Sequence, residues 1–424
     1  MTWPAFLGAG STLSPKVDLP TSWSHDQGVA WHVATVGHGQ SSPVVWGNKL
    51  FLTSISGPNK EKLHLTCINL VDGNIVWSKQ FDSSFPEKNS VYISRAAPTP
   101  VVDANAIYAS FESGDIFAVT HEGAPLWHLA LTEKYEPFQA RFGLAASPAQ
   151  SEELIYVLVD HEGPSYLVAF DKKSGKEVWK QSRSSRVSWT SPMLVTLHGI
   201  EQVVCSSAGS VDAYQAQTGE LLWSFDEVGG NSTPAPIVVG DHALLLAASP
   251  GRSGDNAASA RVSNGMLEVE LKEGEWSASM AWTTKGAMNS FNSPGLHQGY
   301  AYYVNRAGVL YCFDVLTGEK QYTERLAESC WATPLGFKDR VYLIGKDGVT
   351  SVIKAGPVFE LLSENRLWDP EHPPEDHSLP AAEEEPTEQR RNSAGLFSKP
   401  VQYGVAVSEH GLLIRVGTEL YCVQ

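Results

Sequence analysis

The sequence predicts an all-β chain, an eight-bladed β-propeller whose blades are four-stranded antiparallel sheets. A repeated hairpin, a periodic proline and the composition predict it. The hairpin is clearest in AFDKKSGKEVW, with Ala169, Gly175 and Trp179 at relative positions 1, 7 and 11. AYQAQTGELLW repeats it with Ala213, Gly219 and Trp223, CINLVDGNIVW with Cys67, Gly73 and Trp77, and CFDVLTGEKQY with Cys312, Gly318 and Tyr322. Each copy reads as strand, tight turn, strand, the glycine supplying a backbone conformation that other residues resist. A unit that recurs every 40 to 60 residues marks a stacked array or a propeller. Proline recurs as well, at Pro43, Pro98, Pro148, Pro192, Pro234, Pro294, Pro334 and Pro400. It suits the first residue of a strand, where its missing N–H costs no ladder bond. The chain holds 36 Gly and 25 Pro but only 18% charged residues, a balance suited to short strands joined by turns.

In chain order, residues 1–25 read as an extended arm, and 26–36 hold a lone strand around Trp31. Seven full units follow, ending near Trp368. A charged, proline-rich stretch, 369–395, reads as a flexible acidic loop. The last residues supply three strands and stop, so the strand at 26–36 is expected to complete the eighth blade. Closure by both chain ends removes the exposed edges of an open array, and residues 1–424 then form a single domain. Trp77, Trp127, Trp179, Trp223 and Trp282 are assigned to packing between units, with Gly73, Gly175, Gly219 and Gly318 as their turn glycines.

A net charge of −16 disfavours a nucleic-acid partner. No window is long and apolar enough for a membrane helix, and a monomer is expected. No signal peptide is visible, which suits a cytoplasmic chain if the sequence is complete and an exported, periplasmic one if a signal was trimmed. Cys67, Cys205, Cys312 and Cys422 sit in apolar runs and read as buried free thiols, whereas Cys330 is expected to be accessible. No metal-ligand spacing is present, and no metal is expected.

These motifs resemble the PQQ-like repeat β-propellers, whose tryptophan-docking motif has Ala, Gly and Trp at the offsets of Ala169, Gly175 and Trp179. The opening WPAFLGAGSTLSP and the later SSPVVWGNKLFLTS resemble bacterial propellers of the outer-membrane assembly factor (BamB-like) type. The resemblance implies either a quinone-dependent dehydrogenase, with pyrroloquinoline quinone and Ca²⁺, or a non-catalytic propeller that holds partner proteins. The adjacent cysteine pair of the dehydrogenases is missing here, and their metal-ligand set finds no match. The expectation is therefore a protein- or peptide-binding scaffold with no cofactor. The alternatives are an oxidoreductase with atypical ligands and a carbohydrate-binding propeller.

Candidate binding residues are those that break the repeat where blades begin. His38, Arg95, Arg141, Trp189, Asn231, Asn289, Asn292 and Trp331 are expected together on one face near the ring axis. Turns between second and third strands add Glu112, Asp160, His161, Arg306, Lys346 and Asp347. Arg95 and Arg141 stand at corresponding places in successive blades, where two guanidinium forks suit an anionic group. Trp189 and Trp331 suit stacking on a sugar or peptide, His38 could act as a base, and Asp160 with His161 could ligate a metal.

Overall fold

The computed structural model describes residues 2–8, 18–249, 257–289, 291–376, 379–397, 400–402 and 404–424. The fold is all-β, an eight-bladed β-propeller of antiparallel sheets, with three short helices among the described residues. Its chain divides into two compact units, Met1–Pro148 with Lys172–Gly175 and Arg366–Gln424, and Ala149–Asp171 with Lys176–Asn365.

The first unit holds blades eight, one and two. Blade eight pairs Gly404–Ser408, Gly411–Val416 and Glu419–Val423 with Val29–Ala34 from the other end of the chain, in the register Trp31 opposite Cys422. The expected closing strand is therefore in place. Blade one carries Val44–Trp46, Lys49–Ser56, Lys62–Asn69 and Ile75–Asp82. The arm expected at 1–25 is not merely extended: Thr2–Trp3 adds a fifth strand to blade one, with Trp3 opposite Val45. Trp3, Leu19 and Trp23 are buried, so apolar side chains tie the arm down. Residues 1 and 9–17 of that arm lie outside the described residues. Blade two is short, running from Val101–Val102 to Pro125–Ala130.

The second unit holds blades three to seven, from Ala149–Gln150 through Leu361–Arg366. Leu154–Val159 is buried along its whole length, whereas a fourth strand such as Glu275–Thr283 alternates between exposed and half-buried residues. Inner strands are covered on both faces by neighbouring blades and read as continuous apolar runs. Outer strands keep one face in water and alternate.

The repeat motif has a consistent geometry. Positions 1 and 11 are direct cross-strand partners: Cys67 opposite Trp77, Ala169 opposite Trp179, Ala213 opposite Trp223 and Cys312 opposite Tyr322. A register shift follows the small residue in each of these pairs. The indole then packs on the turn glycine of the following unit. Trp179 Nε1 donates to Ala216 O at 2.9 Å, and a Cβ on Gly219 would lie 2.6 Å from its ring. With φ +75° as well, that position admits only glycine. Trp31 covers Gly73, Trp127 covers Gly175 and Trp282 covers Gly318 in the same way. Trp77 covers Gly123. Trp223 departs from the pattern, its Nε1 donating to Gln202 Oε1 of its own blade at 2.9 Å. Blade five replaces the short motif by a longer hairpin, with Met266 opposite Trp282.

The recurrent prolines stand just before the first strands rather than inside them, as Pro192 precedes Met193–Leu197. The Ser or Thr beside them has a job the sequence did not announce. Ser42 N–H donates to Thr99 Oγ1 at 3.0 Å and Thr99 N–H to Ser147 Oγ at 3.0 Å. In the second unit Ala235 N–H donates to Ser293 Oγ and Ser293 N–H to Thr333 Oγ1. Each hydroxyl satisfies a buried N–H of the preceding blade.

All five cysteines are buried and unbridged. Cys330, expected to be accessible, is also buried, and desolvation pushes its thiol well above the usual range. The stretch 369–395 is not a plain loop either. It holds the turn Ala382–Glu384 and most of the helix Glu388–Phe397, with Glu385 buried. Residues 377 and 378 of this stretch, and 250–256 of the insertion near Gly251, lie outside the described residues.

Trp179→Ala is expected to cost ~3–5 kcal/mol in chemical denaturation, the range for emptying a large buried aromatic site; a loss under about 1 kcal/mol would contradict the docking role. Deleting residues 1–36 removes the fourth strand of blade eight and is expected to give insoluble protein; a soluble monomeric truncation would refute closure by that strand.

Candidate functional site

In the first unit, three sequence candidates belong to one buried polar cluster. Arg95 lies in the segment leading into blade two and is 3% exposed. Its Nη1 donates to Asp376 Oδ2 at 2.6 Å, and its main-chain N–H donates to Gln40 Oε1. His38 Nδ1 lies 2.7 Å from the same Asp376 oxygen, near enough to pair though not aligned as a hydrogen bond. Backbone bonds in both directions with Ile55 hold His38 in place. Burial, then the Arg95 charge, lowers its imidazole pKa to about 4 against the stabilising pull of Asp376, with Arg415 adding to the depression. The imidazole is therefore neutral at pH 7.

Arg415, on Gly411–Val416, is fully buried; its Nη1 donates to Ser41 Oγ at 2.6 Å. Glu112 Oε2 accepts the Ala96 N–H at 2.9 Å, and Glu112 Oε1 lies 3.4 Å from Lys60 Nζ. Glu112 thus braces the segment that carries Arg95. Lys60 also lies 3.7 Å from Glu87, whose carboxyl is raised by burial. Arg141 is elsewhere engaged: it is exposed, with its guanidinium 5.3 Å from the Phe142 ring centroid. The two arginines have different partners and do not form a shared fork around one group.

In the second unit Asp160 and His161, weighed as a pair that could ligate a metal, have other duties. Asp160 Oδ1 lies 3.3 Å from Arg183 Nε, and burial outweighs that cation in raising its carboxyl. His161 has both ring nitrogens in its own turn, Nδ1 accepting from Gly163 N–H and Nε2 contacting Pro164 O. Arg183 was absent from the sequence candidates, yet it organises this region. It pairs with Asp212 at 3.1 Å and donates to Tyr214 Oη and Ser207 Oγ. Its only sequence signal was a charged residue ending an outer strand.

The asparagines divide. Asn231 is a brace, accepting from Gly209 N–H and donating to Ser206 Oγ and Ser210 O. Asn289 likewise accepts from Val304 N–H and donates to Asn292 O. Asn292 is 2% exposed, and its side-chain Oδ1 and Nδ2 have no partner among the described residues. Beside it Phe291 is 44% exposed and meets Trp331 edge to face, ring centroids 5.1 Å apart. Lys346 Nζ, paired with Asp347, stands 6.0 Å from the Trp331 ring. Phe291 escaped the sequence reading because a single Phe beside repeat asparagines carries no periodic signal. Trp189 is half-buried, its backbone N–H bonded to Ser232 O, and Arg306 is exposed.

Among the described residues no group of three or more His, Cys, Asp or Glu is arranged to hold a metal ion. Asp160 and Asp376 are each paired with an arginine. No helix among the described residues is long and apolar enough to cross a membrane.

A sequence profile for the family described as outer membrane protein assembly factor BamB matches residues 17–137 and 120–279. The BamB of Alkalilimnicola ehrlichii is 26% identical over 215 residues, 50% of this chain and 50% of that protein. The chain thus spans about half the length of that curated relative. Among solved structures, BamB from Moraxella catarrhalis superposes with TM-score 0.60 at 14% identity, over 93% of this chain and 97% of that one. A europium-containing methanol dehydrogenase gives 0.58 at 11% identity, over 93% and 92%. The quinohemoprotein alcohol dehydrogenase of Comamonas testosteroni gives 0.57 at 12%, over 99% and 80%. At such identities the likeness is one of fold.

His38 makes acid stability diagnostic. The unfolded chain binds this proton near pH 6.5 and the folded chain only near 4, so stability falls as pH drops through that window. His38→Gln is expected to flatten the fall in urea midpoint between pH 6.5 and 4 relative to the parent chain; an unchanged slope would contradict the buried neutral imidazole.

Proposed function

Because this chain belongs to the family of the outer membrane protein assembly factor BamB, we propose that it works as a non-catalytic scaffold that holds a protein partner through an extended segment. The observation that carries this reading is the aromatic pair of Phe291 and Trp331, with Phe291 exposed to solvent. Phe291 and Trp331 offer apolar rings beside water, and such aromatics anchor interfaces at low entropic cost. Asn292, buried beside Phe291, keeps an amide donor and acceptor without partners among the described residues. The charged side chains that acid–base or metal chemistry would need are instead engaged inside the fold: Arg95 and His38 by Asp376, Asp160 by Arg183. We propose accordingly that the chain acts without pyrroloquinoline quinone or Ca²⁺.

Crosslinked capture from the source cell tests this. The parent chain is expected to recover a defined protein, and the double variant Phe291→Ala, Trp331→Ala to lose it by about tenfold or more, one hot-spot residue being worth about 2 kcal/mol, with its melting curve unchanged. Equal recovery by the folded double variant would overturn the assignment. Saturable one-to-one binding of the quinone with Ca²⁺ in calorimetry would instead favour the oxidoreductase reading.

A further inference from the structure

The contact between Asp376 and the Arg95–His38 pair has the form of a filled binding site. One carboxylate oxygen receives Arg95 Nη1 at 2.6 Å and stands 2.7 Å from His38 Nδ1. Arg95 Nε is buried with no hydrogen-bond partner among the described residues, and so is His38 Nε2. Buried Arg415 adds a further positive charge that acts on His38. In a chain of net charge −16, this cationic pocket is a local reversal of sign. The stretch that fills it, 369–395, carries eight acidic residues against two basic ones. It is fastened nearby by side chains rather than by a sheet. Ser90 Oγ donates to Glu385, Tyr92 Oη to Arg390 O, and Lys88 Nζ pairs with Glu384 at 3.3 Å.

We infer that the Arg95–His38 pocket is a carboxylate-binding site for an acidic segment of a partner protein, and that Asp376 is its built-in competitor. The inference rests on the scaffold reading and adds a separate site with its own chemistry. A polypeptide carboxylate is the occupant because the structure already seats one there, brought in on an extended acidic stretch. An arginine that is buried and charged needs an anion at all times, so one carboxylate must replace another rather than leave the pocket empty. A tethered competitor acts at an effective concentration of about millimolar. It reduces the apparent affinity of any incoming carboxylate by the fraction of time the pocket is filled. Binding is therefore weak in the resting chain and strengthens when the acidic stretch is drawn away.

The test is a calorimetric titration of the full chain with a blocked pentapeptide of four alanines and one central aspartate, the asparagine analogue serving as control. Asp376→Asn is expected to bind the aspartate peptide about tenfold or more tighter than the parent chain, and not to bind the asparagine peptide. Adding Arg95→Ala to Asp376→Asn is expected to abolish the gain. No gain in Asp376→Asn, or a gain that survives loss of Arg95, would overturn the inference. Should Asp376→Asn fail to fold, the parent chain decides: millimolar aspartate peptide is expected to speed proteolytic cleavage within 369–395 at least twofold, and an unchanged rate overturns the inference. These readouts use no captured protein, so they can fail while the Phe291–Trp331 surface stands, and the reverse.

Discussion

The contact on which the blades depend is an indole lying flat on a glycine. Trp179 over Gly219 shows why neither side can change. The ring fills the space a Cβ would need, and its N–H satisfies the Ala216 carbonyl. Burial of the aromatic drives the contact, while the single hydrogen bond sets its direction. The small residue opposite, Ala169, follows from the same packing, since the pair shares one cross-strand position at a register shift. Blade five shows the latitude of the system. Its hairpin turns at Gly274 with no ring over that glycine, Trp223 turns to Gln202 in its own blade, and the apolar cluster of Val204, Leu244 and Leu267 takes over the join.

A second layer of contacts lies where the blades begin. Serine and threonine hydroxyls there satisfy N–H groups of the preceding blade, from Ser42 to Thr99 to Ser147 and from Ala235 to Ser293 to Thr333. Buried charges reinforce it. Arg183 gathers Asp160, Asp212 and Tyr214, and Arg95 is held between Gln40 and Asp376. Such pairs are costly to bury and costlier to leave half-empty, so each of these buried arginines keeps a carboxylate beside it. What remains open to solvent in the same regions is aromatic in character, as at Phe291 and its partner Trp331.

This division bears on how one fold serves unlike roles. The neighbours at TM-scores of 0.60 and 0.58 are an assembly factor and a methanol dehydrogenase. The docking contacts described above would serve either, because they sit on strands and turns and leave the blade lead-ins free to vary. Function is then written in side chains that break the repeat. In this chain those side chains mostly pair with one another.

The number of blades, the docking tryptophans and the use of Val29–Ala34 to finish blade eight were all legible in the chain, because each rests on local periodicity: an eleven-residue hairpin, a proline per unit, and a strand deficit at one end matched at the other. The candidate site was legible only as a set of exceptions to that periodicity. Arg95, His38 and Asp160 could be picked out, but not their partners. Asp376 lies 281 residues from Arg95 in a stretch whose composition reads as unstructured, and Arg183 ends a strand like any other outer-strand residue. Whether an arginine waits for a ligand or already holds an aspartate depends on which distant segments the packing brings within 3 Å, and composition and periodicity carry no record of that distance.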